Sequence, residues 1–246
     1  MPTKILAIVN QKGGTAKTTT TAALAVLLSR GGMPVHMVDM DPQASLTRAF
    51  GLADPTDRFY SAFADRAELP IDVVSENLTL TPSTVELVRA ETELLMEPGR
   101  EYFLQTCLGK SQLPENALVL LDCPPSLGVL AVNCLAAAGG LITVVQPGGF
   151  ELHALVHLHM TIDAVQQRLN PHLHVLGAVI TNAHRRRKIT DFVESEVCRV
   201  YPVLGTVRTD ARLLAATSSG KMHRLAVSKA LEDYAQVAAR LRTVIA

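Results

Sequence analysis

Tryptophan is absent from the sequence, and aromatic residues make up only 4% of its 246 positions. Hydrophobic residues nevertheless reach 48% and charged residues only 19%, a composition typical of a folded globular protein. The core must therefore be built mainly from Leu, Val, Ala and Ile. The formal net charge is zero, so overall charge predicts no polyanionic partner, and only a local cluster of basic residues would bind one.

Cysteine is also scarce, and long apolar runs are missing. The four cysteines show neither a CxxC pair nor a metal-ligand spacing, so we expect reduced thiols. The chain runs from Met1 into a strand-like segment without a signal peptide, and no apolar stretch reaches the roughly 18 residues of a membrane span. These absences predict a cytoplasmic protein with no membrane partner, and the early first strand leaves no room for an N-terminal DNA-binding extension.

What the sequence does contain is an alternation of short apolar runs and helix-like segments. The runs are apolar at nearly every position, as in strands buried on both faces of a parallel sheet, and cover residues 5–9, 35–40, 78–83, 118–122, 141–147, 174–181 and 203–207. Helices are expected at residues 17–30, 85–96, 128–138, 152–169, 191–201 and 227–245. The alternation predicts one doubly wound α/β domain over residues 1–246, with a mostly parallel central sheet and helices on both faces.

The segment NQKGGTAKTTT, residues 10–20, follows the first apolar run and is similar to a phosphate-binding loop. It departs from the usual pattern because Gln11 and Ala16 stand where that pattern has its two glycines. Either the segment is a nucleotide site of a different kind, or it is a plain Gly-Gly turn before a helix.

A nucleotide site would give each of the small and basic residues in this loop a function. Gly13 and Gly14 would let the backbone approach phosphate oxygens, and the start of the following helix would attract an anion. Lys17 would reach the β- and γ-phosphates, and the Thr18 hydroxyl would bind Mg²⁺.

Carboxylates follow two further apolar runs. Asp39 and Asp41 end the run VHMVDMD, and Asp122 ends LVLLD, which has the form of a Walker-B strand whose carboxylate holds Mg²⁺. An aspartate after a strand is often only a helix cap or a loop residue. The three segments together, each at the carboxyl end of a buried strand, favour the nucleotide site.

The motifs in this order resemble those of the ParA/Soj partition ATPases, within the ParA/MinD class of deviant Walker-A proteins. The similar segments are NQKGGTAKTTTTAALAVLLSRGGMPVHMVDMDPQASLTRAFG, LLDCPPSLGVLAVNCLAAAGGLITVVQPGGFELHAL, VRTDARLLAATSSGKMHR and ALEDYAQVAARL. The resemblance covers residues 4–242, although residues 52–116 match in pattern more than in letters.

The resemblance implies a role for each matching residue. Lys12 corresponds to a signature lysine that reaches the nucleotide of a partner subunit, Lys17 binds phosphate within its own subunit, and Asp41 positions the attacking water. These three are the implied catalytic residues. The implied nucleotide-binding residues are Lys12, Gly13, Gly14, Thr15, Ala16, Lys17, Thr18, Thr19 and Asn182, and the implied Mg²⁺ site is formed by Thr18, Asp41 and Asp122.

Ala16 is the one departure from the family pattern within the loop. Gln11 is usual in this family, whereas position 16 normally holds glycine. If the backbone there has a positive φ, alanine costs about 1–2 kcal/mol. The departure leaves open a nucleotide-gated binding protein with very weak hydrolysis.

Basic residues concentrate late in the chain. Between His184 and Arg224, nine Lys and Arg residues stand against four acidic ones, a net charge of +5. A solvated surface explains this as readily as contact with DNA phosphates. The resemblance favours DNA, because family members bind it non-specifically through this third of the chain; the candidate residues are Arg185, Arg186, Arg187, Lys188, Arg212 and Lys221.

The resemblance therefore implies a slow Mg²⁺-dependent ATPase with ATP and Mg²⁺ as cofactors. ATP would assemble a sandwich homodimer on double-stranded DNA of the nucleoid, and hydrolysis stimulated by a ParB-like protein would release it. The expected outcome is chromosome or plasmid partition. A positioning ATPase with a protein cargo shares every catalytic residue, so the sequence does not separate the two.

Overall fold

The computed structural model describes residues 4–53, 57–148, 151–183 and 188–245. Within these parts the chain forms a single eight-stranded sheet in the order β3-β4-β2-β5-β1-β6-β7-β8. All neighbouring strands are parallel except β3 and β4. The strands are β1 (Lys4–Val9), β2 (Val35–Asp39), β3 (Asp72–Ser75), β4 (Leu78–Thr81), β5 (Leu118–Asp122), β6 (Gly140–Val145), β7 (His174–Ala183) and β8 (Val203–Arg208).

Helices connect the strands and cover both faces of the sheet. In the described ranges they are α1 (Lys17–Arg30), α2 (Ser45–Ala49), α3 (Arg58–Ala64), α4 (Ala90–Glu93), α5 (Phe103–Lys110), α6 (Val129–Ala137), α7 (Glu151–Arg168), α8 (Lys188–Val200), α9 (Ala211–Ser218) and α10 (Lys229–Ile245). Short 3-10 turns add Val85–Arg89, Arg100–Tyr102 and Met222–Arg224.

Alternate residues of each central strand enter two separate cores. In β1, Leu6 and Ile8 pack with α1, α2, α9 and α10, whereas Ala7 and Val9 pack on the other face with α3, α5, α6 and α7. Because side chains alternate between faces and both faces are covered, the strand must be apolar at every position. The predicted doubly wound, mostly parallel α/β fold is confirmed.

The predicted strands are present, and so are the predicted helices except the one at residues 85–96. Strand β3 was not predicted because it lies at the sheet edge, where Val73 is 77% exposed and the run is not apolar throughout. Helices α2, α3, α5 and α9 were also missed. The helix predicted at 85–96 is instead a 3-10 turn followed by the single-turn α4. Such short helices depend on tertiary packing more than on their own periodicity.

Strand β2 carries a buried histidine that is hydrogen-bonded to the neighbouring strand β4. His36 is fully buried, and its two ring nitrogens contact the hydroxyls of Thr79 and Thr81 on β4 at 2.9 and 3.1 Å. Burial lowers the pKa of His36 to about 4. The ring is therefore neutral in the folded protein at neutral pH.

This burial makes stability depend on pH in a defined direction. Unfolded His36 binds a proton below about pH 6.5, whereas the folded ring binds one only near pH 4, so the His36 contribution is lost as pH falls between these values. We expect it to lower the free energy of unfolding by about 2 kcal/mol between pH 6.5 and 5. Urea unfolding of the wild type and of His36→Gln at both pH values isolates the His36 contribution, because the two proteins share all other titratable groups. An equal loss of unfolding free energy in the two proteins would contradict the prediction.

Candidate functional site

A cleft of about 350 Å³ lies at the carboxyl ends of the strands, where the phosphate-loop segment meets β7, β8 and α9. In such sheets this edge is where ligands bind. Its lining comprises Gly13, Gly14, Thr15, Ala16, Lys17, Thr18, Thr19, Asp41, Ser45, Pro125, Thr181, Asn182, Val207, Arg208, Asp210, Leu213, Leu214, Thr217 and Tyr234. Most of the predicted nucleotide residues therefore converge on one cavity.

Side-chain hydrogen bonds to β6 and β7 fix the loop between β1 and α1. Asn10 is buried, donates to the Val144 carbonyl of β6, and accepts from the Lys12 amide at 2.9 Å. The Thr181 hydroxyl of β7 donates to the Thr15 carbonyl at 2.8 Å. These bonds hold the loop on the sheet edge and leave its outer side toward the cleft.

The outer side of the loop has space for a bound group. Gly13 and Gly14 are exposed, and a Cβ built at either position would meet nothing within 4 Å. Gly14 has φ +77°, a conformation that glycine adopts without cost. The Lys12 side chain is exposed at the edge of the same loop.

Ala16 has the positive φ on which its strain depends. It lies directly before α1 with φ 68° and ψ 30°, in the left-handed region. Its carbonyl nevertheless accepts the Thr20 amide at 2.9 Å, so the helix begins normally. A left-handed alanine costs about 1–2 kcal/mol relative to the usual conformation. The loop retains its shape because the surrounding bonds hold it.

Lys17 opens α1 and is buried, with only 7% of its surface exposed. Its Nζ donates to the Lys12 carbonyl at 3.2 Å, which draws the side chain back along the loop. Burial lowers the pKa of Lys17, and the nearby Asp122 opposes that shift. A buried ammonium at the start of a helix, beside exposed glycine amides, is suited to an anionic ligand.

Asp122 ends β5 and is completely buried. Its Oδ1 accepts the Thr21 hydroxyl at 3.1 Å, whereas its Oδ2 is buried without a hydrogen-bond partner in the described structure. Burial, with a further contribution from Asp39, raises the pKa of Asp122 to about 8. An unsatisfied carboxylate oxygen next to Lys17 and Thr18 fits a Mg²⁺ ion, which typically takes one or two protein carboxylates together with substrate phosphates and waters.

Asp39 and Asp41 have different surroundings although they are two residues apart. Asp39 is fully buried opposite Asp122 in the sheet register, and its Oδ2 accepts the Thr47 amide at 2.8 Å and the Thr47 hydroxyl at 2.7 Å. Burial raises the pKa of Asp39 to about 6. Asp41 is partly exposed, accepts the Gln43 amide at 2.9 Å and lines the cleft. Asp39 therefore anchors the segment, and Asp41 faces the cavity.

The far side of the cleft is formed by late residues that sequence reasoning mostly missed. Asn182 was predicted and lies at the end of β7 with φ 51°. Arg208, Asp210 and the α9 residues Leu213, Leu214 and Thr217 were given no role, although they belong to the segment VRTDARLLAATSSGKMHR that carries the family resemblance. The position of these residues at the cleft could have been predicted from that segment.

The predicted DNA contacts divide into two groups. Arg185, Arg186 and Arg187, and the side chain of Lys188, lie outside the described residues. Arg212 on α9 and Lys221 just after it are both exposed. Over the ranges that the structure covers, no cluster of three His, Cys, Asp or Glu residues is arranged to hold a metal. Among the described helices, none combines the length and apolarity needed to cross a membrane.

Comparison with known proteins agrees with this geometry. The AAA domain family matches residues 3–175. The sporulation initiation inhibitor protein Soj of Bacillus subtilis is 36% identical over 227 residues, 89% of each chain, and the chromosome partitioning protein ParA of Myxococcus xanthus is 36% identical over 228 residues, 89% of this chain and 80% of that one.

Two solved structures extend the comparison to three dimensions. Cobyrinic acid a,c-diamide synthase of Mycobacterium smegmatis, solved with an ATP analogue and magnesium, has a TM-score of 0.86 at 34% identity over 98% of this chain and 94% of that one. A plasmid partition protein of Borrelia burgdorferi has a TM-score of 0.77 at 22% identity, over 98% of this chain and 99% of that one, which shows a shared fold. The chain therefore belongs to the AAA-domain family that includes the Soj and ParA chromosome-partitioning ATPases.

Proposed function

We propose that this chain is a Mg²⁺-dependent ATPase that dimerises around ATP, binds DNA non-specifically and drives chromosome or plasmid partition. The observation that carries the ATPase proposal is the convergence of residues 13–19, Asp41 and Asn182 on one cleft, with Asp122 buried behind it. The 34%-identical synthase solved with an ATP analogue and magnesium supports these ligands, and the Soj and ParA relatives support the partition role.

The phosphates would lie against the loop, and the base would lie toward β7. Gly13, Gly14 and the first amides of α1 present N–H groups to an anion, and the helix dipole adds to that attraction. Lys17 supplies positive charge at close range. Asn182, at the end of β7, is a polar side chain available to the base.

Mg²⁺ would be held by Thr18 and Asp122, because the Asp122 Oδ2 is buried without a partner. When bound, the ion neutralises charge that develops on the transferring phosphate. Asp41 holds and orients a water molecule for attack, since its carboxylate borders the cleft. Asp39 positions this segment through the Thr47 amide and hydroxyl and through the Asp41 amide, which it accepts at 3.3 Å.

Lys12 is placed to act outside its own subunit. Its amide is bonded to Asn10 and its carbonyl accepts from Thr15 at 3.3 Å and from Lys17, so the backbone is fixed while the side chain is exposed. A second subunit facing this surface would bring its nucleotide to Lys12. ATP would then hold the dimer together, and hydrolysis, slow alone and accelerated by a ParB-like partner, would release it.

A second candidate function rests on Ala16. Its left-handed backbone lies in the loop that lines the cleft, and its methyl group occupies surface that glycine would leave open to a phosphate. This favours a protein that binds ATP and changes partners but barely hydrolyses it. The two candidates share the binding residues and differ in turnover.

Substitution of Asp41 separates catalysis from binding. We expect Asp41→Ala to lower ATP turnover by about 100-fold or more, because the water loses its orienting carboxylate, while ATP affinity changes little. Phosphate release assays measured with DNA and Mg²⁺ test this, with Asp65→Ala, an exposed carboxylate at the end of α3, as the matched control. A wild-type rate no higher than that of Asp41→Ala would remove the ATPase assignment and leave the nucleotide-gated binding protein.

Replacement of Ala16 tests the strain directly. Ala16→Gly should raise the free energy of unfolding by roughly 1 kcal/mol, since glycine adopts φ 68° without the steric cost. Turnover should rise by several-fold if the methyl group hinders the phosphates. Ala23→Gly, in the buried middle of α1, is the control and should destabilise the protein. A variant less stable than wild type would show that position 16 is not strained.

The described basic residues give a test of DNA binding. Arg212 and Lys221 are exposed on and beside α9, and Arg224 follows on the next turn. We expect Arg212→Ala with Lys221→Ala to weaken ATP-dependent binding to double-stranded DNA and to reduce the salt slope of log K by about 2. Lys110→Ala, on α5 at the opposite face of the sheet, should change neither quantity. An unchanged slope in the double variant would place the DNA surface elsewhere.

A further inference from the structure

The first turn of α6 is held by a side chain from another element. The Val129 amide donates to Glu91 Oε2 at 3.0 Å, and the Leu130 amide donates to Oε1 at 3.4 Å. Glu91 lies on the single-turn α4, 38 residues before Val129. The first amides of a helix have no partner within the helix, and negative charge is favoured there. The carboxylate of Glu91 is therefore a cap supplied from outside the helix.

The residue before this turn leaves room for the carboxylate. Gly128 occupies the N-cap position of α6 and has no side chain with which to cap the helix itself. A Cβ built on Gly128 would lie 2.6 Å from the Glu91 Cδ, far inside van der Waals contact. The cap therefore depends on glycine at position 128, because a larger residue there would displace the carboxylate.

Buried neighbours fix α4 where it meets α6. Leu87, Ala90 and Leu94 are buried in the core that also contains residues of α5 and α6, and Glu91 itself is half-buried. Because packing already orders this turn, the Glu91 side chain caps α6 with little further loss of conformational entropy.

The capped turn lies one short segment away from the proposed Mg²⁺ site. Residues 123–128 join Asp122, at the end of β5, to the start of α6. The Cys123 amide donates to the Ile8 carbonyl of β1 at 3.3 Å, which fixes the beginning of the segment, and Pro125 lines the nucleotide cleft. The first turn of α6 fixes the other end. The cap therefore sets the position of one wall of the cleft from outside it.

We propose that Glu91 is a positioning residue for ATP hydrolysis, which holds residues 123–128 in place by capping α6. The inference rests on the proposed ATPase site and adds to it a residue that is absent from the lining of the cleft. Small displacements of groups around a reacting centre lower the rate steeply. ATP binding depends mainly on the loop at residues 13–19, which the cap does not contact. Loss of the cap should therefore lower kcat and leave ATP affinity nearly unchanged.

A cap that serves only stability is the alternative, because helix caps generally stabilise proteins. The rest of α6 has support of its own. The buried Asn133 donates from Nδ2 to the Arg100 carbonyl at 2.7 Å and accepts the Leu104 amide at 3.0 Å. Removal of the Glu91 carboxylate should therefore loosen the first turn without detaching the helix, so the variant remains folded for assay.

The chain offers a matched control on the same short helix. Glu93, also on α4, accepts from the Arg89 Nε at 2.8 Å and from the Tyr60 hydroxyl, and both partners lie outside α6. Glu93→Gln therefore removes a carboxylate from α4 without removing the cap. Glu91→Gln keeps the length of the side chain and one acceptor oxygen, so it should retain part of the cap.

Steady-state ATP hydrolysis with Mg²⁺ and DNA, and calorimetric binding of a non-hydrolysable ATP analogue, test the proposal on the full chain. We expect Glu91→Ala to lower kcat about 10-fold and to change analogue affinity less than about two-fold, with Glu91→Gln between Glu91→Ala and the wild type. Glu93→Gln should keep the wild-type kcat. Gly128→Ala, which crowds the carboxylate, should lower kcat as Glu91→Ala does, and the double variant should be little slower than the slower single variant.

Urea unfolding of each variant separates the effect on turnover from the effect on stability. A Glu91→Ala chain that is less stable but keeps the wild-type kcat when folded would assign the cap a structural role and overturn the inference. A parallel fall in analogue affinity and kcat, or additive effects of Glu91→Ala and Gly128→Ala, would overturn it as well. A wild-type kcat no higher than that of Asp41→Ala would overturn the proposed function together with the inference.

Discussion

The buried carboxylate of Asp122 is the constraint on which the arrangement of the site depends. It ends a central strand, directly opposite the equally buried Asp39, and the buried Lys17 lies beside it. Charges without water are costly unless they are paired. Burial raises the pKa of Asp122 to about 8 and that of Asp39 to about 6, so a cation between protein and phosphate lowers the energy of the whole group. This group of buried charges therefore favours a bound cation at this edge of the sheet.

The loop above this carboxylate is strained and held in place by its surroundings. Ala16 occupies a left-handed conformation, while the Thr181 hydroxyl and Asn10 fix the loop from β7 and β6. Local strain persists when the surrounding structure determines it, and it is often found at ligand sites. Here the strain lies in the loop that lines the cleft.

Helix α9 carries both residues that line the cleft and the exposed Arg212. Leu213 and Thr217 line the cavity, Arg212 is exposed on the same helix, and the end of the helix packs against the turn after α2. That contact is close, since a Cβ on Gly220 would lie 2.9 Å from the Gly51 Cα. The turn after α2 and the end of α9 are therefore closely packed, with no space between them for a larger side chain at Gly220.

The sequence alone determined the fold class and predicted the residues of the loop that lines one side of the cleft. Strands buried on both faces must be apolar throughout, and a phosphate loop needs its residues adjacent in the chain, so both features are visible as local patterns. The same local pattern predicted a steric cost at Ala16 on the condition that its φ is positive, and the structure has a positive φ there.

The tertiary structure decided the rest because the remaining contacts join distant segments. The far side of the cleft combines β7, β8, α9 and α10, and the hydrogen bond between Thr20 and Tyr234 joins residues 214 positions apart. The contact between Glu91 and α6 and the short helices likewise depend on which surfaces meet in the fold. No periodicity or spacing encodes such pairings, because they are selected by packing once the sheet has formed.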